Sequence, residues 1–111
     1  MAYDEILANR IRNCLEGVPQ ASEKKMFGGL CFLVGGNMAC GVTNRGYLMV
    51  RVGADRYEEA LSKPHVRPMD FTGRPLKGLV YIDPEGFRRD ADLRNWIDVG
   101  VGFAASLPPK G

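Results

Sequence analysis

Apolar residues recur at three- and four-residue steps through Leu7, Ile11, Cys14, Leu15 and Val18, with Asp4, Glu5, Arg12 and Glu16 on the opposite side. That period predicts a helix over 4–16, opened by Asp4 as a cap and stopped by Gly17 and Pro19. From Lys25 to Val52 the period falls to two, which predicts three strands. The first covers 25–34, and its run Leu30-Cys31-Phe32-Leu33-Val34 suits burial on both faces. Gly35-Gly36-Asn37 offers a tight hairpin into a second strand at 37–43, and Asn44-Arg45-Gly46 offers another into a third at 47–52. On that third strand Leu48, Val50 and Val52 point to a core, while Tyr47, Met49 and Arg51 take the other face.

Residues 54–62 read as a short helix ended by Pro64, and Pro68, Gly73 and Pro75 make 65–77 an irregular segment with an edge strand near 66–71. A further strand is expected at 78–83, then a turn at Asp83-Pro84-Glu85-Gly86. A last helix is expected over 90–106, capped by Asp90, with Leu93, Trp96, Ile97, Val101, Phe103, Ala104 and Leu107 inward. Gly100 and Ala104, four apart, leave a narrow strip for close approach. Runs of strands rather than alternating βαβ units predict an α+β fold in the order α-β(3)-α-β(2)-α, with a mainly antiparallel, five-stranded sheet. The expected core holds Met26, Phe27, Phe32, Leu48, Val50, Val80, Ile82, Trp96 and Ile97.

The chain's 111 residues fit one domain spanning 1–111, with a core over about 3–107 and a short tail at 108–111. Hydrophobic residues at 45% and charged residues at 25% exclude disordered and fibrous classes. A net charge of +2 falls short of the bias that marks a nucleic-acid binder by itself. No basic-then-apolar leader opens the sequence, and its longest apolar run, Leu30–Val34, is far below the ~20 residues of a membrane span. Cys14, Cys31 and Cys40 lack CxxC spacing, so reduced thiols in a cytoplasmic protein are expected.

His65 is the single histidine, with no ligand pair or nucleophile at a useful spacing, so neither a catalytic residue nor a metal or other cofactor is expected. Gly28-Gly29 and Gly35-Gly36 spell no phosphate loop and read as turns. The segment 64–78 concentrates cations between prolines and glycines. It has two readings: a binding loop in which Arg67, Met69, Asp70, Arg74 and Lys77 grip a partner, or a structural loop whose Met69 and Phe71 plug the core. Tyr47 and Met49 likewise are core and rim if their face is covered, or a homodimer patch if it is open.

Several stretches carry a family resemblance: Glu23-Lys24-Lys25-Met26-Phe27-Gly28-Gly29, Gly36 to Val42, Leu48 to Gly53, and Pro68-Met69-Asp70-Phe71-Thr72-Gly73, with Lys77-Gly78 and the Trp96 helix behind them. Over residues 3–109 the chain resembles the N-terminal domain of the TfoX/Sxy family, named for regulators of competence genes in bacteria, some of which work with a cyclic-AMP receptor protein. The resemblance implies a secretion-chaperone-like α+β fold, no catalytic residues, and a stand-alone domain without the helical C-terminal domain of full-length regulators. The expected function is non-enzymatic protein interaction, linked to transcription or competence, with a partner protein or a second copy of the chain. The alternatives are direct nucleic-acid binding through Arg67, Arg74, Lys77, Arg88 and Arg89, with Phe71 or Tyr81 stacking on bases, and a small-ligand or enzymatic site near His65 and Asp70.

Overall fold

In the computed structural model, which describes residues 4–26, 28–70, 73 and 76–109, the first helix begins as its cap predicts. The Asp4 carboxylate accepts the backbone N–H groups of Ile6 and Leu7 at 2.9 and 3.2 Å, and α1 runs over Glu5–Cys14. Four strands follow: β1 (Ala21–Met26), β2 (Gly29–Val34), β3 (Asn37–Val42) and β4 (Leu48–Arg51). A one-turn 3-10 segment leads into α2 (Tyr57–Leu61), then come β5 (Val66–Pro68), β6 (Leu79–Ile82) and α3 (Asp90–Ala105). The strands form one open antiparallel sheet in the order β1-β2-β3-β4-β6-β5. The class is α+β, as expected.

The strand count differs from expectation. Six strands replace five, because the expected strand at 25–34 is a hairpin: the chain turns back at Gly28, whose φ of 74° only glycine adopts freely, and Met26 faces Gly29 across the ladder. The order is therefore α-β(4)-α-β(2)-α. Residues 21–25 are all exposed, with charge on both sides, so no apolar alternation marks β1 as a strand; such charge protects a free sheet edge. Gly35 and Gly36, at φ 60° and 80°, make the predicted turn into β3.

All three helices cover one face of the sheet. Leu7, Ile11, Leu93, Ile97, Tyr57 and Ala60 close over Phe32, Val42, Leu48, Val50, Val80 and Ile82. Gly100 sits where the helix touches the sheet: a Cβ there would run into the carbonyl oxygen of Ala39. The narrow strip at Gly100 and Ala104 is thus a contact, with both residues buried. Three expectations are corrected. Asp90 does not cap α3; it lies exposed and accepts a bond from Arg10 at 3.0 Å, and the cap position belongs to Arg89. Trp96 is half-buried rather than core, because it flanks a cleft beside α2. Met26 is half-buried at the sheet edge, and Phe27 lies outside the described residues.

The second face carries a smaller, sulfur-rich core of Cys31, Met38, Met49 and Met69, edged by Leu33, Leu76, Leu79 and Tyr81. Its lid is the segment after β5. The Met69 N–H donates to the Leu79 carbonyl at 3.3 Å and the Leu76 N–H to the Met69 carbonyl at 2.8 Å, which brings Met69 down onto Met49. Gly41 makes room beneath: the Met49 methyl lies 2.9 Å from where a Gly41 Cβ would be. Met49 is therefore 0% exposed, and the proposed homodimer patch at Tyr47 and Met49 loses its central residue.

Candidate functional site

One cross-strand row on the second face runs Lys24, Cys31, Gly41, Met49, Tyr81, Arg67 from one sheet edge to the other. Residues paired in this way share a face, so the two-residue period of β4, β5 and β6 sets Arg67 beside Tyr81 and over the lidded core. Tyr47, at the end of the 43–47 turn, joins them. That turn is held by the Thr43 hydroxyl, which accepts the N–H groups of Arg45 and Tyr47 at 3.1 and 3.0 Å.

The Arg67 guanidinium lies 4.5 Å from the centre of the Tyr47 ring and 6.0 Å from that of Tyr81, and the two rings are 5.8 Å apart at a tilt of 42°. Asp83 holds it from behind, accepting from Nη2 at 2.8 Å and from Nε at 3.2 Å. These bonds raise the Arg67 pKa, so its charge is permanent. Burial raises the Tyr81 pKa; the Asp70 carboxylate adds to this, and Arg45 and Arg67 oppose it. The result is a fixed arginine between two tyrosines, half open to solvent, with Arg45 and Asp70 nearby.

The residues read from the sequence as a binding set thus divide. Arg67 and Tyr47 meet in this platform, and Asp70 is exposed within electrostatic reach of Tyr81. Met69 and Met49 lie beneath it, both fully buried, so neither is available to a partner. Lys77 is exposed in the turn before β6. Arg74 and Phe71 lie outside the described residues. Tyr81 and Asp83 complete the site, and the antiparallel pairing of β5 with β6 brings both to Arg67.

A second feature, on the helical side, is a cleft of about 340 Å³ between α2 and α3. Val52 and Ala60 line it with Trp96 and Val99; Lys63, His65 and Glu85 stand around it. His65 enters its turn at a φ of 67°, and its carbonyl accepts the Asp83 N–H at 2.9 Å. A neighbouring depression continues past Val99 to Asp98, Gly102 and Phe103. The sequence held a signal for this groove: α3 carries a buried stripe at 93, 97, 100 and 104 and a second, half-buried stripe at 96, 99 and 103. Taken together as one inward face, the two stripes conceal the groove. Asp70 belongs to the opposite side of the sheet, so the small-ligand site expected near His65 and Asp70 does not form around both.

The cysteines are free thiols, with Cys31 in the second-face core and Cys40 in the helical core. Burial pushes the Cys31 thiol up to about 11 and raises that of Cys40 further, so neither is a nucleophile near neutral pH. Among the described residues no group of three or more His, Cys, Asp or Glu side chains is placed to hold a metal ion, and no helix is long and apolar enough to cross a membrane. The TfoX N-terminal domain family matches residues 13–104 of the 111. No curated protein matches the chain.

Proposed function

The chain belongs to the TfoX N-terminal domain family, and on that premise we propose that it is a non-enzymatic regulatory module, cytoplasmic and linked to transcription or competence, that binds a partner protein through Tyr47, Arg67 and Tyr81. The family suggests a competence-related regulatory domain rather than a known enzyme class. The single observation that carries the reading is the ordering of Arg67 between two tyrosines by Asp83. Arginine and tyrosine dominate protein–protein hot spots, and an arginine fixed in advance loses less side-chain entropy on binding. Of the cations in the nucleic-acid reading, Arg67 is matched by Asp83, which tells against its use on phosphate.

The test is affinity capture from the native cell with the wild-type chain and with Arg67→Ala and Tyr81→Ala in parallel. A protein recovered by the wild type and lost by both variants, each still showing a cooperative thermal transition, is the expected result. Equal recovery by all three would refute the assignment of the surface. Retardation of DNA at low salt, abolished by Arg67→Ala, would replace the protein partner with nucleic acid. A dimer mass in light scattering, lost in the same variants, would make the partner a second copy.

A further inference from the structure

The α2–α3 cleft combines an aromatic wall with an excess of acid. Asp55, Glu59, Glu85, Asp92 and Asp98 surround it and its extension, against Arg56 and Lys63. This is a negative region on a chain whose net charge is +2. None of the five carboxylates has an ion-pair partner among the described residues, whereas Glu23, Asp83 and Asp90 each have one. The Trp96 indole is half-buried, and the Lys63 ammonium lies 6.0 Å from its ring centre, the outer limit of a cation–π contact. The chain's own lysine thus marks where a cation goes. Phe103, further along the same stripe, is already covered by Arg51 at 5.2 Å and by Gly53, which leaves Trp96 as the open aromatic anchor.

We propose that this cleft receives a basic segment of a partner protein, one arginine or lysine side chain lying on Trp96 and its cationic neighbours facing the acidic rim. The volume of about 340 Å³ lies at the lower end of ligand-site sizes, suited to a side chain rather than to a large cofactor. Charge complementarity selects the occupant: an acidic or phosphorylated segment meets Glu59, Glu85 and Asp92 at the cleft and Asp55 and Asp98 at its extension, and a neutral apolar one leaves them without partners. Lys63 moves aside when the incoming cation takes its place. The site is distinct from the Tyr47–Arg67–Tyr81 surface, which lies on the other face of the sheet.

Trp96 is the chain's one tryptophan, so its fluorescence reports on this cleft alone. The experiment titrates the full chain with a synthetic arginine–leucine peptide and, separately, with its glutamate–leucine counterpart. The expected result is a saturable emission change with the basic peptide only, weakened by added salt. Glu85→Gln with Asp92→Asn weakens binding about five- to tenfold, the sum of two exposed charge pairs. Lys63→Ala tightens it, because the internal competitor is gone. Glu85 and Lys63 are exposed and Asp92 is half-buried, and unchanged thermal melting checks that the fold is kept. Absence of an emission change, an equal response to the acidic peptide, or a charge-depleted variant that binds as tightly as wild type would each overturn the proposal. Arg67→Ala leaves the titration unchanged, which separates failure of this inference from failure of the platform.

Discussion

Gly100 and Gly102 stand two positions apart on α3 in opposite environments. A methyl at Gly102 meets nothing within 4 Å, so Gly102→Ala should gain the ordinary helix-propensity difference of about 1 kcal/mol. At Gly100 the same methyl strikes the Ala39 carbonyl, and overpacking should cost about 1–3 kcal/mol. Thermal melting checks the pair, with opposite signs expected. The thiols give a second residue-scale prediction. Cys14 is partly exposed while Cys31 and Cys40 are buried, so a thiol reagent at pH 8 should label Cys14 first and the other two only on unfolding. The Cys31 thiol ionises at about 11 when folded against 9.0 as its unperturbed value. The unfolded chain therefore loses its proton first, and stability should fall as pH rises from about 9 to about 11. Denaturant titrations across that range test it, and Cys31→Ala should make the decline shallower without abolishing it, because burial raises the Cys40 thiol as well.

At the scale of elements, α1 and β1 are joined by Arg12, whose Nε and Nη2 donate to the two Glu23 carboxylate oxygens at 2.7 and 2.8 Å. That hydrogen bond holds the Glu23 pKa below its usual 4.5. A depressed carboxylate pKa contributes stability that is present above about pH 4.5 and lost as pH falls through the folded-state value. Both side chains are over a third exposed, so the contribution should stay below about 1 kcal/mol. Glu23→Gln should remove the acid-dependent part without shifting the neutral midpoint by more than that. The lid segment is the opposite case. Met69 carries no charge and is fully buried, yet Met69→Ala should cost about 2–5 kcal/mol by opening a cavity over Met49. Arg67→Ala, directly above, should cost about 1 kcal/mol or less. Chemical denaturation of the two variants separates the lid from the surface it supports.

For the molecule as a whole, the sheet is dressed unequally. Three helices shield one face, and a short loop with one fully buried methionine shields the other. The thinner side carries the arginine–tyrosine platform, and the thicker side carries the acidic cleft. Met49→Glu, which the sequence pattern would suggest as a way to split a dimer, should instead collapse the fold, because it places a charge at a position of 0% exposure without a partner. Loss of the cooperative melting transition is the expected outcome. A folded variant with a smaller mass in solution would show that Met49 faces a partner after all.

The α1 cap, the hairpin at Gly35-Gly36, the inward set Leu48, Val50, Val80 and Ile82, and the α+β class were all legible, because each follows from local period or from glycine's backbone freedom. β1 was not, since a solvated edge strand carries no apolar alternation and its hairpin turns on a single glycine. Which apolar face is covered, and by what, is equally beyond a period: Met49 and Met69 are buried because the loop after β5 folds back, and Trp96 is half-open because α2 is too short to cover it. Period depends on neighbours three or four residues away and is therefore written in the chain. The meeting of Arg67, Tyr47 and Tyr81 depends on contacts between residues 14 to 34 positions apart, which only the pairing of β4, β5 and β6 decides.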